Sequence, residues 1–464
     1  MRLVLYGDSV NLKRFVLIVV VPIACLAAAV FVFAPPSVVW ISLLVLLGLP
    51  FALLSIDRPE IPFYLLMFIL FSNLDVYAPI RLYRIVILLV LASFALALVN
   101  GRRIATHHPL LFTLLAALLI ISLQSLAVAR EYHVAVRGLV HFYKVLAGVL
   151  IASQFVRDRR EFKRFLLIAA LGILLSDFLP FILRPPTRLG SLSMLWDMGV
   201  VRYEGFVFEP NTFAVFQLFL IPILVFFIGL YRKPAAARPL LMFAILASIS
   251  VLILSFSRGG FIGLVVLVLT LIVVERRNRA LLLFGLALIA IGVIATPALY
   301  WERVASLFDF VAKGSDDYAL TTRIGTMRAA LRIGLANPLL GVGIDNFLYS
   351  ASYYIPFRLT VHNSYLLVFA ELGAVAFTLL CGIIGYGFMI VRRMIARRDD
   401  PEGAAIGRAL LMQQVAVLIG AFFIPLAFDM IFWFTLLMPA IAEYAYRSGG
   451  AAALDGSRAQ SVGR

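Results

Sequence analysis

The chain has 464 residues, of which 63% are hydrophobic and only 14% are charged, and its mean hydropathy is +1.04. Soluble domains are about half apolar and about a quarter charged, so this composition excludes a water-soluble fold. The formal net charge of +16 is scattered over short segments between apolar runs. That distribution argues against a nucleic-acid partner and indicates signals that orient the chain in a membrane.

Apolar runs of about 20 residues recur along the chain, and each is long enough to cross the hydrocarbon core of a bilayer. Backbone groups in lipid must be paired within their own segment, so these runs must be helices. The predicted fold class is an all-α, polytopic integral membrane protein with about 12–14 transmembrane helices and one large outer loop that contains short helices. The predicted spans are 15–34, 37–56, 61–79, 83–99, 109–128, 135–156, 163–185, 211–231, 239–256, 259–275, 280–299, 365–391, 407–425 and 428–446.

Lys and Arg alternate between the two sides of the membrane when the N-terminus is placed in the cytoplasm, as the positive-inside rule requires. This orientation leaves two long segments outside, and loops of such length are usually functional. The basic residues expected inside are Arg58 and those within 102–103, 157–164, 232–233, 276–279 and 392–398. The predicted organisation is a transmembrane bundle over 1–299 with an outer segment at 184–210, a large outer loop over 300–364, C-terminal spans over 365–448 and a disordered cytoplasmic tail over 449–464.

The long loop contains helix signals of its own. Thr321 or Thr322 can cap a helix that runs to Ile333, and Gly334 can close it. The predicted helix has an apolar face and a basic face, which suits an element that lies on the membrane surface. The apolar face comprises Ile324, Met327 and Leu331, and the basic face comprises Arg328 and Arg332.

Several arginines remain on the outer side, against the topological bias, and Arg258 has the most specific setting among them. It lies in Ser255-Phe256-Ser257-Arg258-Gly259-Gly260, a turn between two very apolar spans. A charge at this depth is costly and indicates function, a guanidinium matches phosphate oxygens, and the glycine pair allows close approach of a ligand. The sequence therefore predicts a phosphate ligand. The alternative is contact with lipid headgroups.

The sixth predicted span carries a basic stripe. His133, Arg137, His141 and Lys144 recur at spacings of four, four and three, which places all four on one helix face. Such a stripe could hold a diphosphate and its lipid. The alternative, on equal terms, is pairing with a buried carboxylate such as Asp75 or Asp177.

His362 is the best candidate for proton transfer. It lies where the long loop re-enters the membrane, in Val361-His362-Asn363-Ser364-Tyr365, and Asn363 could orient it. A neutral imidazole can take a proton from a sugar hydroxyl, although a lone histidine is more often structural. The sequence has no Walker-type loop, no Gly-x-Ser-x-Gly elbow and no Cys and His cluster at zinc spacing, so no cofactor or metal is predicted.

Short motifs follow one another in a characteristic order. They are Arg202-x-x-Gly205 with Glu209-Pro210-Asn211, then Ser257-Arg258-Gly259-Gly260, then Asn337-Pro338-Leu339-Leu340-Gly341-Val342-Gly343 with Asn346-Phe347, then His362-Asn363-Ser364-Tyr365-Leu366 with Glu371-Leu372-Gly373. In this order, with the long loop between the second and the last, the chain resembles the O-antigen ligase and polymerase superfamily. The resemblance covers roughly residues 200–375 by motif and the remainder by topology.

The resemblance implies a metal-independent, inverting membrane glycosyltransferase in the bacterial inner membrane, with its active site facing the periplasm. Its donor would be a glycan on undecaprenyl diphosphate. Its acceptor would be the lipid A–core of lipopolysaccharide in a ligase, or a second lipid-linked glycan in a polymerase. His362 would be the base, Arg202 and Arg258 would bind the diphosphate, and Arg323 and Arg328 would add contacts.

A transporter or flippase for an anionic lipid-linked glycan is an alternative of another class. It should distribute charges through a central cavity. Here the charges gather at one face, which favours the enzyme.

Overall fold

Helices make up most of the chain in the computed structural model. The structure describes residues 55, 58–74, 82–101, 108–183, 192–195, 200–205, 207, 209–230, 237–276, 283, 298, 301, 305, 318–356 and 359–461. The elements are α1 Glu60–Ser72, α2 Leu82–Val99, α3 Pro109–Ser122, α4 Ser125–Val128, α5 Tyr132–Phe155, α6 Arg159–Leu183, β1 Leu192–Leu195, β2 Val200–Tyr203, α7 Pro210–Leu230, α8 Ala237–Leu254, α9 Arg258–Val274, α10 Tyr318–Ala336, α11 Phe347–Ala351, α12 Ser364–Ala396, α13 Pro401–Ala421 and α14 Met430–Ser461.

The predicted fold class is confirmed, because the described elements are helical except for one antiparallel pair of short strands, β1 and β2. Within the described residues, six helices are long and apolar enough to cross a membrane, and three shorter helices, α1, α2 and α9, are also apolar. The six are Pro109–Val128, Tyr132–Phe155, Pro210–Leu230, Ala237–Leu254, Ser364–Ala396 and Pro401–Ala421. The predicted spans 15–34 and 37–56, and most of 280–299, lie outside the described residues.

Backbone contacts divide the chain into two units. The first unit comprises Met1–Leu66 and Leu82–Arg103, and its described part consists mainly of α2 and the first half of α1. The second unit comprises Met67–Arg81 and Ile104–Arg464, and it holds every residue discussed below.

Helix α7 forms the centre of the second unit. It is apolar on all sides, and a helix of that kind is stable only when other helices surround it. Nearly all of it is buried, and it packs mainly against α8, α9 and α13. Phe219 stacks on Phe71 with ring centroids 5.7 Å apart, and the buried Gln413 donates to the Phe219 carbonyl at 3.0 Å. This packing holds the middle of α7 in place, and the first residues of the same helix belong to the site described below.

One end of the second unit collects ion pairs. Glu443 is fully buried and lies within 3.8 Å of Arg393, Arg397 and Arg447. The other pairs at this end are Arg159 with Asp400, Lys163 with Glu402, and Arg408 with Glu275. These residues lie at helix ends that the charge pattern assigns to the cytoplasmic side of the membrane. The ion pairs show that these helix ends are close together in the structure.

Helix α12 is interrupted near its outer end, at Gly373, where φ is 81° and ψ is 178°. The preceding loop fills the interruption with backbone hydrogen bonds, which satisfy groups that a broken helix exposes. The donors and acceptors are Val342 N to Ala370 O at 3.0 Å, Gly343 N to Glu371 O at 2.8 Å, and Ala374 N to Pro338 O at 2.7 Å. The motif Asn337–Gly343 and the motif Glu371–Gly373 are therefore two halves of one structural joint.

We expect Gly373→Ala and Gly341→Ala each to lower stability by about 1–3 kcal/mol or more, because both glycines have a positive φ that other residues adopt only at a cost. An added Cβ would also overlap the backbone of Leu339 or Glu371. The matched control is Gly385→Ala in the same helix, where a Cβ meets nothing within 4 Å. Thermal unfolding in detergent measures the effect, and equal melting temperatures for the three variants would contradict the joint.

Helix α10 is longer than predicted and buries a different face. It begins at Tyr318 and ends at Ala336, so Gly334 lies inside it, where the ring of Phe369 packs directly on the glycine. The buried positions are Thr322, Thr326, Ala329, Ala330 and Ile333. Leu331, on the predicted apolar face, is 45% exposed and does not pack into the helical bundle. Small residues face α12 because they let the two helices approach closely.

The last helix, α14, runs to Ser461 through the segment for which the sequence predicts disorder. The alanines at 451–453 are strong helix formers, which accounts for the difference.

Candidate active site

Arg202 joins three elements at the end of the second unit opposite the ion pairs. It lies in β2 and is only 8% exposed. Its Nε donates to the Ser255 carbonyl at 2.7 Å, in the turn between α8 and α9, and its Nη2 donates to Asn211 Oδ1 at 2.9 Å, in the first turn of α7. Arg202 therefore fixes the relative position of β2, α7 and the α8–α9 turn.

Glu209 lies next to this arginine, immediately before α7. Its carboxylate accepts hydrogen bonds from the Asn211 backbone N at 3.1 Å, from Asn211 Nδ2 at 2.7 Å and from the Thr212 backbone N. A carboxylate at a helix N-terminus is stabilised by the helix dipole and by the unpaired N–H groups there. Burial raises the pKa of the nearby Glu204, Glu209 raises it further, and Arg202 opposes the shift.

The α8–α9 turn presents Arg258 as the first residue of α9. Ser257 caps the helix, because its Oγ accepts from Gly260 N at 3.1 Å. The sequence suggested that the two glycines allow a ligand to approach closely. In the structure, other side chains of the protein occupy the space beside both glycines. A Cβ on Gly259 would meet Phe423 at 2.6 Å, and one on Gly260 would meet Ala214 at 2.5 Å. They are glycines because α9 packs closely on α7 and on the segment after α13.

His362 lies one residue before the cap of α12. Asn363, which is 1% exposed, is that cap, since its Oδ1 accepts from Tyr365 N at 3.0 Å and Leu366 N at 2.9 Å. Asn363 therefore fixes the start of α12 through its Oδ1. Ser364 Oγ donates to the Ile424 carbonyl at 2.6 Å and accepts from Leu426 N at 2.7 Å, which ties the start of α12 to the segment after α13.

The imidazole of His362 is kept neutral by its surroundings. Burial lowers its pKa to about 4, the positive charge of Arg323 lowers it too, and Glu209 acts in the opposite sense. Its Nδ1 is buried, and no group among the described residues forms a hydrogen bond with it. A buried nitrogen of this kind is available to form a hydrogen bond with a bound molecule.

Four of the sequence-predicted site residues are thus linked in two pairs. Arg202 contacts the α8–α9 turn that carries Arg258. Helix α10 brings Arg323 within electrostatic reach of His362. Arg328 is exposed one turn further along α10.

The segment 423–426 connects Arg258 to the histidine, because Phe423 packs on Gly259 and both Ile424 and Leu426 bond to Ser364. The arginines and the histidine are therefore brought together from β2, α9, α10 and the start of α12.

The basic stripe of α5 is a separate cluster. His133, Arg137, His141 and Lys144 are all exposed along one face of the helix. Asp177 is not their partner, because it accepts a hydrogen bond from Gln217 at 2.7 Å, and Asp75 lies outside the described residues.

Two acidic residues that the sequence did not single out organise this end of the protein. Glu371 is buried in α12 and accepts from Asp345 N and Phe347 N, both at 3.0 Å. Asp345 in turn packs against Gly138 of α5. Both belong to or adjoin motifs visible in the sequence, but nothing in the spacing shows that they meet.

In the described part of the chain, no group of three or more His, Cys, Asp or Glu side chains could hold a metal ion.

The fold and this site define a polytopic helical membrane protein with a neutral histidine and several arginines gathered at one end. Residues 242–381 match the profile of a family described as O-Antigen ligase, and this segment contains Arg258, Arg323 and His362. The match confirms the resemblance to the O-antigen ligase and polymerase superfamily.

It supports ligase or polymerase activity in general, and with it a membrane enzyme of the glycosyltransferase type that acts on lipid-linked glycans. A search of curated proteins finds no match to this chain.

Proposed function

We propose that the chain is an inverting, metal-independent glycosyltransferase that moves a glycan from undecaprenyl diphosphate to the lipid A–core of lipopolysaccharide. The reaction takes place on the periplasmic face of the inner membrane, at the end of the helices where Arg202, Arg258 and His362 lie. The observation that carries the proposal is His362, whose pKa is lowered to about 4 and whose buried Nδ1 has no partner among the described residues. The family match supports the reaction class.

The chemistry is a single displacement. Neutral His362 takes the proton of an acceptor hydroxyl, and the acceptor oxygen forms a bond to the anomeric carbon of the donor glycan. The bond between that carbon and the diphosphate oxygen breaks, and its electron pair leaves with undecaprenyl diphosphate. The proton on His362 then passes to solvent. A histidine with a lowered pKa is restored to its neutral form readily at neutral pH.

The arginines stabilise the negative charge that develops on the leaving diphosphate. Arg258 is partly exposed and begins α9, so its guanidinium and the helix N-terminus both favour an anion there. Arg202 holds the turn that presents Arg258, in addition to its proposed contact with the diphosphate. Arg323 reaches the site from α10 and Arg328 provides a further contact.

The alternative acceptor is a second lipid-linked glycan, which would make the protein a polymerase of O-antigen or exopolysaccharide. The same residues serve both reactions, since donor and leaving group are identical. The other alternative is a transporter of an anionic lipid-linked glycan. Transport changes no covalent bond and needs no general base, so it does not explain a neutral histidine among arginines.

We expect the acid limb of kcat/KM to lie near pH 4, because His362 acts as a base only when it is unprotonated and its pKa is lowered to about 4. Arg323→Gln removes a positive charge and should move the limb to higher pH, whereas Glu209→Gln removes a negative charge and should move it to lower pH. Profiles of transfer rate against pH for the three proteins measure this. Shifts in the same direction, or a limb near pH 6.5 in all three, would contradict the assignment.

The proposal is tested by the products of a reaction in the presence of EDTA. Purified protein, undecaprenyl diphosphate-linked oligosaccharide and lipid A–core should release undecaprenyl diphosphate in equal amount to the glycan transferred. Nuclear magnetic resonance should show an inverted anomeric centre. Retention of configuration, or loss of turnover in EDTA that Mg²⁺ restores, would overturn the proposed reaction.

A further inference from the structure

The basic face of α5 carries charge that the described structure does not neutralise by direct contact. Arg137, His141 and Lys144 are exposed, and in the described parts of the chain none of them has a hydrogen bond or a close ion pair. Between Arg137 and Lys144 the face extends about 10 Å along the helix, at 1.5 Å per residue. Val140, also on this face, is 46% exposed, so the surface is open along its length.

This face cannot be turned towards hydrocarbon. Helix α5 is apolar enough to cross a membrane, and charged side chains exposed to lipid tails from such a helix are costly. Charged groups at this depth face a water-filled space, a counter-charge or a ligand. The end of α5 that carries Arg137 is the end at which the candidate active site lies.

Two carboxylates border the face without pairing closely with it. Asp345 reaches α5 at Gly138, where a side chain would collide with Asp345 Oδ2, and it interacts electrostatically with His141 and Arg137. Asp429, just before α14, interacts electrostatically with His141. Burial raises the pKa of Asp345, and the neighbouring His141 and Arg137 oppose that shift. The two carboxylates lie at the level of His141, and Lys144 lies about one turn deeper in the helix.

One short segment contacts both the buried side of α5 and the elements that carry Arg258 and His362. Phe423 packs on Gly259 next to Arg258, Ile424 bonds to Ser364, and Phe428 packs on Phe142 of α5 with ring centroids 5.3 Å apart. Six residues span at most about 20 Å. Helix α5 and the elements that carry Arg258 and His362 are therefore linked through a segment of six residues.

We propose that Arg137, His141 and Lys144 bind the phosphate of the second lipid-borne substrate, the acceptor, at a site distinct from the one that holds the donor diphosphate. This inference rests on the proposed function. A glycosyl transfer between two lipid-anchored molecules requires two anionic headgroups to be held at once. The phosphate can come from lipid A or from a second undecaprenyl diphosphate, and both present the same chemistry to the three basic side chains.

Native mass spectrometry of the full-length protein in detergent tests this, with undecaprenyl diphosphate and diphosphoryl lipid A as separate probes. We expect the double variant Arg137→Gln, Lys144→Gln to bind one of the lipids at least about tenfold more weakly, while Arg258→Gln loses the donor lipid instead. Arg332→Gln, an exposed arginine of α10, is the matched control and should bind both lipids as the wild type does. Loss of lipid A identifies a ligase acceptor, and loss of a second equivalent of undecaprenyl diphosphate identifies a polymerase acceptor.

A second variant on the same face shows whether weaker lipid binding by the double variant results from misfolding. Val140→Asp removes no contact of a basic residue and places a negative charge on the face, so it should weaken the same lipid. The proposal is overturned if both variants bind the two lipids normally, or if they and Arg258→Gln abolish the same binding event, so that combining them with Arg258→Gln removes no further equivalent of lipid. Lower melting temperature with unchanged lipid binding would show that the stripe pairs with other parts of the chain. Because binding is read without turnover, failure of the transfer reaction is distinguishable from failure of the second site.

Discussion

Replacing His362 by alanine is expected to lower the rate of glycan transfer by about 10²–10⁴-fold, the usual contribution of a general base. The structure gives the side chain no hydrogen bond from its buried Nδ1 to the described residues, so its removal should cost little stability. Transfer rate at saturating substrates and thermal unfolding in detergent measure the two effects. A folded variant with wild-type turnover would remove His362 from the mechanism.

The matched control is His108→Gln. His108 lies at the opposite end of the second unit, where it contacts Tyr386 at 3.3 Å and Glu443 at 3.5 Å. We expect this variant to lose some stability and to keep its transfer rate. The comparison separates the loss of a histidine from the loss of the base.

Arg258→Ala is expected to weaken donor binding by about 10–100-fold, since a hydrogen bond to a charged group contributes about 1.5–3 kcal/mol. Arg258→Lys should restore only part of the affinity, because an ammonium is a point charge and cannot form the paired contacts of a guanidinium with phosphate. Titration with undecaprenyl diphosphate measures the affinity. An alanine variant that binds the donor as the wild type does would exclude Arg258 from the site.

Variants of two further arginines serve as comparisons for the effect of Arg258→Ala on donor affinity. Arg332→Ala removes an exposed arginine from α10 and should leave donor affinity unchanged. Arg202→Ala should lower both affinity and melting temperature, because Arg202 holds the Ser255 carbonyl and Asn211 in place. A pure loss of affinity in Arg202→Ala would show that its internal hydrogen bonds contribute little.

The helices were predictable because each span is a long apolar run whose backbone has no alternative to helix in lipid. The bounds of α5 and α7 differ from the predicted 135–156 and 211–231 by three residues or fewer. The face of α10 was not predictable in the same way. Its orientation depends on close packing of small residues against α12, and a pattern of apolar residues does not show which helix a face will meet.

The site was predictable only in part, for a related reason. His362 and Arg258 stand out because polar residues are rare in such a chain. The interactions of Glu209 with His362, and of Asp345 with α5, join residues more than 150 positions apart, which no local spacing reveals. Asn363 and the pair Gly259 and Gly260 have the residue types of a ligand site, but the structure uses them to cap and pack helices.

The most direct test of the proposed function combines purified protein with undecaprenyl diphosphate-linked oligosaccharide, with and without lipid A–core, and separates the products on a gel. We predict a single heavier band that forms only when lipid A–core is present. A ladder without lipid A–core would replace the ligase by the polymerase and keep the same site. No covalent product with either acceptor would contradict glycosyl transfer and leave transport as the function.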